Sequence, residues 1–196
     1  RKIFRKKIKI KKKLPIIGNV ARYDPKKDHS NLLNALSIIR SKNIDFLCCL
    51  FGSNINRNNL KLVSEIKKLD LSKHIKLLGQ NNNISKVMNG LDVYIQSSSY
   101  GEGFPNVVAE SMACGIPCVV TDVGDSSFIV NKTGWLVPPN NSIKLAKAIE
   151  EALYELRTEK WKKRSNKARL RIKKKFDISK MLKSYNKSWY QVYKNS

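Results

Sequence analysis

The chain has 196 residues and a formal net charge of +24, which arises from 39 Lys and Arg residues against 15 Asp and Glu. This length is enough for one sizeable α/β core, since domains commonly hold about 100–200 residues. No apolar run approaches the roughly 20 residues that span a bilayer, and the basic opening stretch lacks the apolar segment and cleavage site of a signal peptide. A cytoplasmic protein is therefore expected.

The positive charge is concentrated at the two ends of the chain. Residues 1–13 contribute +9 and residues 157–196 contribute +13, whereas residues 14–156 hold 15 basic and 13 acidic residues. Two explanations fit these basic ends equally. One is a composition rich in Lys, Asn and Ile that requires no partner. The other is contact with an anionic membrane, where each Lys or Arg near the surface is worth about 1 kcal/mol.

Short apolar strands alternate with helical segments along residues 14–156. Strands are predicted at residues 14–21, 44–52, 74–79, 92–97, 116–122 and 134–139. Helices are predicted at residues 29–42, 60–69 and 84–91, in the stretch that opens at Pro105, and from Asn140 or Asn141 to Leu156. Such alternation forms right-handed βαβ units, so the expected fold is α/β, a doubly wound, Rossmann-like parallel sheet.

Each predicted helix has an apolar face, and two of them have polar residues suited to cap their first turn. Asp28 or Ser30 is the expected N-cap of the first helix. The apolar face of the 60–69 helix is predicted to hold Leu60, Val63, Ile66 and Leu69. That of the helix ending at Leu156 is predicted to hold Ile143, Ala146, Ile149, Leu153 and Leu156 itself.

Residues 157–196 form a wholly helical pattern in which two stripes differ in strength. The first stripe is sparse and consists of Trp161, Ala168 and Ile172. The second is richer and consists of Met181, Leu182, Tyr185, Trp189, Val192 and Tyr193. The aromatic residues of the last helix require a surface that buries them.

Ligands of doubly wound sheets bind at the carboxyl ends of the strands, where helix N-termini converge. The segment after the first strand supplies Arg22 and Lys27 to this edge, and the glycine-rich segment after the fourth opens a helix at Pro105. Backbone N–H groups at a helix start favour anions. The N–H groups expected to serve here belong to Gly103, Phe104, Asn106 and Val107. Two cations and a helix N-terminus together predict a diphosphate site.

Two carboxylates, Glu102 and Glu110, flank this helix start with seven residues between them. On one helix they would stand about 12 Å apart at a rise of 1.5 Å per residue, beyond the roughly 5–9.5 Å of paired glycosidase carboxylates. They are therefore interpreted as groups that grip opposite ends of an extended ligand, such as the two sugars of a nucleotide-sugar.

The segment "EGFPNVVAE", with "SMACGIPCVVTDVG" behind it, "GWLVPP" downstream and "ARYDPKKDH" upstream, closely resembles the C-terminal, donor-binding domain of family 4 (group 1) retaining glycosyltransferases of GT-B architecture. The resemblance spans about residues 16–156. It implies that Glu102 lies near the transferred sugar as the catalytic carboxylate and that Glu110 binds the ribose. It also implies that Arg22 and Lys27 bind the diphosphate and that residues 78–83 lie near the base.

The activity implied is transfer of a sugar, with retention, from a nucleotide-sugar, UDP-linked by expectation, to a growing surface polysaccharide or lipid-linked glycan. No cofactor or metal is required, and no Asp-x-Asp pair is present to hold a metal. Ala21 departs from the family's glycine before the arginine, and Phe128 stands near a position that is often acidic. Either change is expected to shift donor preference without undoing the fold.

The N-terminal domain of that family, which binds the acceptor, has no counterpart in these residues. Residues 1–13 are therefore interpreted as a remnant of the interdomain linker, residues 14–156 as the nucleotide-sugar-binding domain and residues 157–196 as C-terminal helices. The last helix is expected to pack towards the missing domain. By itself this chain is expected to bind nucleotide without turnover.

Two alternative functions are a nucleic-acid-binding module that uses the basic ends, and a catalytically silent interaction domain. The first predicts aromatic residues interleaved with the basic ones, but the 157–180 segment holds only Trp161 and Phe176. Retention of both glutamates, Arg22 and Lys27 argues against the second. The four cysteines are interpreted as buried free thiols, since they lie in apolar runs without zinc-site spacing. Of the two histidines, His29 is a candidate for donor contact or helix capping, and His74 for a structural role.

Overall fold

The structure, a computed structural model, describes Phe4 and residues 14–194. The strands of this part, numbered in chain order, are β1 (Ile16–Val20), β2 (Leu47–Phe51), β3 (Ile75–Leu77), β4 (Val93–Gln96), β5 (Cys118–Thr121) and β6 (Trp135–Val137). Its α-helices are α1 (His29–Ser41), α2 (Leu60–Lys68), α3 (Ile84–Met88), α4 (Asn106–Ala113), α5 (Ser126–Val130), α6 (Ser142–Glu155), α7 (Glu159–Lys175) and α8 (Ile178–Lys194). Short 3-10 turns lie at Pro25–Lys27 and Asn131–Thr133.

The strands form one parallel sheet in the order β3-β2-β1-β4-β5-β6. Each predicted strand is present, one to three residues shorter at each end than the sequence pattern suggested. The order reverses between β1 and β4, where Gly18 of β1 pairs with Cys49 of β2 on one side and with Tyr94 of β4 on the other. The expected doubly wound fold is confirmed, and its topological switch point lies between β1 and β4.

The core consists of two apolar clusters, one on each face of the sheet. Ile17 of β1 belongs to the cluster under α1 and α6, which includes Leu36 and Ile149. Its neighbour Ile16 points to the other face and belongs to the cluster under α4 and α7, which includes Met112. Successive strand residues point to opposite faces, so a sheet covered on both sides needs continuous apolar runs such as the Leu-Cys-Cys-Leu-Phe of β2. Cys48, Cys49 and Cys118 are buried free thiols, as predicted, whereas Cys114 is free but only partly buried.

The helix starts confirm two capping predictions and correct two predicted core residues. Asp28 accepts a hydrogen bond from the Asn31 amide to cap α1, and Asn141 caps α6 in the same way. Leu60 and Ile143, however, are 77% and 73% exposed, so their predicted burial is wrong. Both lie on the side of the helix opposite its buried residues: Leu62 and Leu145, two residues further along and about 200° round the helix, are fully buried in the same first turns.

The two C-terminal helices differ in how much of the domain they touch. In α7, Ala168 is fully buried against α4, and the Ser165 hydroxyl bonds to the Gly115 carbonyl. By contrast, every large apolar residue of α8 is exposed; these are Ile178, Met181, Leu182, Tyr185, Trp189, Tyr190, Val192 and Tyr193. Packing of α8 towards a further domain stays a prediction, as do the three domain limits. The linker predicted at residues 1–13 lies, except for Phe4, outside the described residues.

None of the helices in the part of the chain that the structure describes is long and apolar enough to span a bilayer.

Candidate functional site

A cavity of about 240 Å³ opens at the carboxyl edge of the sheet, beside the switch point between β1 and β4. Five of the predicted site residues, Lys27, Glu102, Phe104, Asn106 and Val107, lie in its wall. The remaining lining residues are Asn19, Val20, Ala21, Tyr94, Gln96, Ser98 and Pro105. The fold therefore brings together residues from β1, the turn after it, β4, and the loop that leads into α4.

Lys27 and Glu102 are joined directly across this cavity. Lys27 Nζ lies 2.6 Å from Glu102 Oε1, although 75 residues separate them in the chain. Lys27 occupies the last position of the Pro25–Lys27 turn, whose N-cap Asp24 accepts a hydrogen bond from the Lys26 amide. A basic residue that the sequence assigned to a diphosphate thus pairs with the carboxylate assigned to the sugar.

The turn that carries Lys27 is bonded to the segment after β4. The Ser97 hydroxyl donates to the Lys27 carbonyl at 2.8 Å, and the Ser99 amide donates to the Lys26 carbonyl at 2.8 Å. Because these bonds involve backbone atoms of the turn, they fix the height of the lysine above the sheet. The relative position of Lys27 and Glu102 therefore depends on more than their own ion pair.

Glu102 is held as a carboxylate by two donors. Burial by itself raises its pKa, but hydrogen bonds from Lys27 and from the Ser98 hydroxyl, together with the Lys27 charge, lower the pKa below its ordinary value of 4.5. The Ser98 hydroxyl lies 2.6 Å from Glu102 Oε1, and the Ser98 carbonyl in turn accepts from Thr121 Oγ1 at 2.6 Å. The resulting carboxylate is ionised at neutral pH and can accept hydrogen bonds from ligand hydroxyls.

Two glycines allow the Glu102 loop to lie close to the loop after β5. Gly101 has φ of 70°, in the left-handed region that side chains rarely adopt. A Cβ at Gly124 would lie 2.4 Å from the carbonyl oxygens of both Glu102 and Gly103. The Asp125 amide donates to the Gly103 carbonyl at 2.9 Å, which ties the two loops together. The backbone that presents Glu102 is thereby anchored on both sides.

The N-terminus of α4 faces the same cavity. Asn106 and Val107 occupy its first two positions, and Pro105 stands at the N-cap, where no side chain caps the helix. The early N–H groups of a helix have no intrahelical acceptor, and the helix dipole adds partial positive charge there. This end of α4 can therefore bind an anionic oxygen, as the sequence predicted.

Three predicted site residues lie outside the lining of the cavity: Arg22, Gly103 and Glu110. Arg22 Nε bonds to Asp24 Oδ2 at 3.0 Å, and its side chain is 62% exposed. Glu110 is exposed on the second turn of α4, and partial burial raises its pKa. None of the described residues donates a hydrogen bond to its carboxylate. Their assignment to donor binding stays a prediction.

The two histidines have structural positions. His29 is buried, neither of its ring nitrogens bonds to a described residue, and burial together with the nearby Lys27 charge lowers its pKa to about 4. Its proposed capping role is wrong, because Asp28 caps α1. His74 Nδ1 lies 3.4 Å from the Phe46 carbonyl, in accord with a structural role.

The sequence reasoning missed Ser98, Gln96 and Tyr94 as residues of the cavity wall. Gln96 and Tyr94 lie in β4, and both are almost fully buried. A glutamine at the carboxyl end of an otherwise apolar buried strand was the available signal. Tyr100, two residues before Glu102, does not line the cavity and is 53% exposed. Among the described residues no group of three or more His, Cys, Asp or Glu side chains could hold a metal ion.

Comparison with known proteins gives a family match over most of the chain. The family model described as "Glycosyl transferases group 1" matches residues 1–171. A Campylobacter jejuni protein named N-acetylgalactosamine-N,N'-diacetylbacillosaminyl-diphospho-undecaprenol 4-alpha-N-acetylgalactosaminyltransferase is 30% identical over 165 residues, which cover 80% of this chain and 42% of that protein.

Solved structures match the whole described fold. A glycosyltransferase from Rickettsia africae superimposes with a TM-score of 0.90 at 27% identity, covering 100% of this chain and 52% of that one. Anabaena HepE in complex with UDP superimposes with a TM-score of 0.86 over 96% of this chain and 52% of its own; at 23% identity this likeness concerns the fold alone. The chain thus spans about half the length of these structures, and less than half of the Campylobacter relative.

Proposed function

This chain belongs to the group 1 glycosyltransferases, and we propose that it is the donor-binding half of an enzyme that transfers a sugar from a nucleotide-sugar with retention of configuration. The observation that carries the proposal is the convergence of Lys27, Glu102 and the N-terminus of α4 on one cavity at the switch point of the sheet. A cation, a carboxylate and free N–H donors are the groups that a sugar diphosphate requires.

In this proposal the diphosphate binds between Lys27 and the first turn of α4. The leaving nucleoside diphosphate gains negative charge as the glycosidic bond breaks. Fixed cations and N–H donors directed at that charge stabilise the transition state more than the ground state. Lys27, the N–H groups of Asn106 and Val107 and, after release from Asp24, Arg22 would supply this stabilisation. These groups meet the charge of the diphosphate, so we propose that no metal ion is needed.

The two glutamates are assigned to the two sugars of the donor. Glu102, kept ionised by Lys27 and Ser98, would accept hydrogen bonds from hydroxyls of the transferred sugar near the reacting carbon. Glu110, on the outer side of α4, would accept the hydroxyls of the ribose. A diphosphate held at the start of α4 lies between these positions, which accounts for the spacing of the two carboxylates along loop and helix.

The nucleotide is proposed to be UDP and the acceptor a growing surface polysaccharide or a lipid-linked glycan. The solved complex of HepE with UDP supports the first part, and the undecaprenol-linked substrate in the name of the Campylobacter relative supports the second. A further domain would bind that acceptor, and the exposed aromatic stripe of α8 suits contact with such a domain. We place the protein in the cytoplasm, with its basic ends near the anionic inner face of the membrane.

Nucleic-acid binding is a weaker explanation of the basic helix α7. Base stacking requires accessible aromatic faces next to the cations. Trp161 is half-buried, and the Phe176 ring lies 5.5 Å from both Phe104 and Phe128. The Trp135 ring is covered by the Arg164 guanidinium at 4.1 Å. These aromatic groups of the described chain are already engaged with protein.

The proposal is tested by calorimetry of this chain with UDP. We expect saturable binding at a single site, weakened by mutation of Lys27 to Ala and unaffected by mutation of Lys144, an exposed lysine of α6, to Ala. Absence of heat at millimolar UDP with folded protein would contradict the donor-site assignment. Binding of DNA that weakens steeply with salt would support the nucleic-acid alternative instead.

A further inference from the structure

Gln96, the last residue of β4, holds a buried hydrogen-bond donor that no described residue uses. The residue is only 5% exposed and lines the cavity. Its side-chain nitrogen Nε2 is shielded from solvent and has no hydrogen-bond partner in the described part of the chain. A buried unpaired amide is costly, so a native structure that retains one is expected to use it in another state.

The orientation of the Gln96 amide places its nitrogen beside Glu102. The Ser126 hydroxyl, at the start of α5, lies 2.9 Å from Gln96 Oε1 and 2.7 Å from the Val123 carbonyl, and its one proton can donate to either oxygen. Gln96 lines the same cavity as Glu102 and helps to lower the pKa of that carboxyl, which places the amide nitrogen on the side of Glu102. An amide oxygen facing a carboxylate would be repelled, so the electrostatics favour the same orientation.

Glu102 is paired with Lys27, and the diphosphate of a nucleotide-sugar would compete for the same lysine. Its hydrogen bonds from Lys27 and from Ser98 are both made to Oε1. Among the described residues of the cavity wall, Lys27 is also the one Lys or Arg, and it shares this wall with the start of α4, where the diphosphate is proposed to bind. If the diphosphate takes the ammonium group, the carboxylate is left with one donor and a new anion nearby.

We propose that Gln96 is a positioning residue for Glu102, and that its amide nitrogen donates to the Glu102 carboxylate when a diphosphate takes Lys27 from it. The inference rests on the proposed function, because it requires a diphosphate at this cavity. The exchange replaces one donor by another, so Glu102 stays ionised and directed into the cavity while Lys27 turns to the ligand. Gln96 itself touches neither the sugar nor the diphosphate.

The experiment is a double-mutant cycle on UDP affinity, measured by calorimetry with the wild-type chain, Gln96→Met, Glu102→Ala and the double variant. Methionine keeps the length of the side chain without its donor. In the wild-type background we expect Gln96→Met to weaken UDP binding about tenfold, which corresponds to about 1.4 kcal/mol. Glu102→Ala is expected to strengthen binding several-fold because it frees Lys27. In the Glu102→Ala background the loss caused by Gln96→Met is expected to vanish.

A structural role for Gln96 gives a different result, because its loss would then weaken UDP binding equally in both backgrounds. That outcome, or unchanged affinity in both, overturns the inference while UDP binding by the wild type upholds the proposed function. Failure of the wild type to bind UDP overturns both. Ser126→Ala is the second variant, since it removes the hydroxyl that orients the amide without touching the cavity. It should weaken UDP binding less than Gln96→Met and, again, only when Glu102 is present.

Discussion

Glu102 on its loop and Glu110 on its helix differ in their hydrogen bonds and in the direction in which their pKa is shifted. Glu102 accepts hydrogen bonds from Lys27 and Ser98, and its pKa lies below the ordinary value. Glu110 receives no hydrogen bond from the described residues, and burial raises its pKa. The loop thus places its carboxylate next to protein donors, whereas the carboxylate on the helix faces solvent.

The difference follows from where the two residues stand in the fold. The Glu102 loop lies at the switch point, between the turn after β1 and the loop after β5, so side chains and backbone from both can reach it. Glu110 stands on the outer side of α4, away from the sheet. Two carboxylates eight residues apart therefore differ in that one is held by protein donors and the other receives none from the described residues.

The largest expected effect concerns turnover in a complete enzyme that contains this domain. Glu102→Gln should lower kcat at least about 100-fold, the scale of losing one preorganised electrostatic group, because an amide interacts more weakly with charge that develops at the reacting carbon. UDP affinity should not fall. Steady-state kinetics and calorimetry on the same preparation measure both quantities, and an equal loss of the two would contradict the separate roles of loop and helix.

The next effect concerns nucleotide affinity. Glu110→Ala should weaken UDP binding about tenfold or more, since a carboxylate bonded to ribose hydroxyls makes charge-assisted hydrogen bonds of about 1.5–3 kcal/mol each. Glu151→Ala, which changes an exposed glutamate of α6, is the matched control and should leave the affinity unchanged. If both variants bind UDP like the wild type, Glu110 does not contact the nucleotide.

The smallest effect is on stability and has opposite signs at the two sites. The pKa of Glu102 in the folded protein lies below its ordinary value of 4.5. The ionised carboxylate therefore stabilises the fold at pH values above 4.5, and this contribution is lost as the pH falls through the folded pKa. Glu102→Gln should therefore cost about 1 kcal/mol at pH 7, the scale of a hydrogen bond to a charged group after solvent screening, and much less in acid.

The raised pKa of Glu110 has the reverse consequence. Its carboxylate costs stability at neutral pH, and that cost disappears as pH falls through its raised folded pKa, so Glu110→Gln should be neutral or slightly stabilising at pH 7. Urea denaturation of both Gln variants between pH 4 and 8 compares the two sites on the same chemical change. If Glu102→Gln and Glu110→Gln both destabilise the protein with the same pH dependence, the predicted difference between the two carboxylates is wrong.

The sequence predicted the sheet and the candidate site at its carboxyl edge, because the signals for both lie in short stretches of the chain. Period-two and period-3.6 apolar patterns record which side of an element is covered, and Asp28 and Asn141 marked the helix starts as N-caps. The same local logic failed for Leu60 and Ile143, because each helix turns a different set of apolar residues to the sheet: Leu62 and Leu145, about 200° away, are the buried ones. Where apolar residues occur on more than one side of a helix, the sequence pattern does not decide which side packs on the sheet.

The α/β class, the candidate site at the strand ends and five residues that line its cavity, Lys27, Glu102, Phe104, Asn106 and Val107, could be predicted from local sequence patterns. Only the folded chain shows that Lys27 meets Glu102, that Ser98 donates to the same carboxylate, and that the Gln96 amide nitrogen has no hydrogen-bond partner among the described residues. The physical reason is distance along the chain: side chains up to 75 residues apart meet only when the strands order themselves in the sheet, and sequence periodicity carries no record of that order.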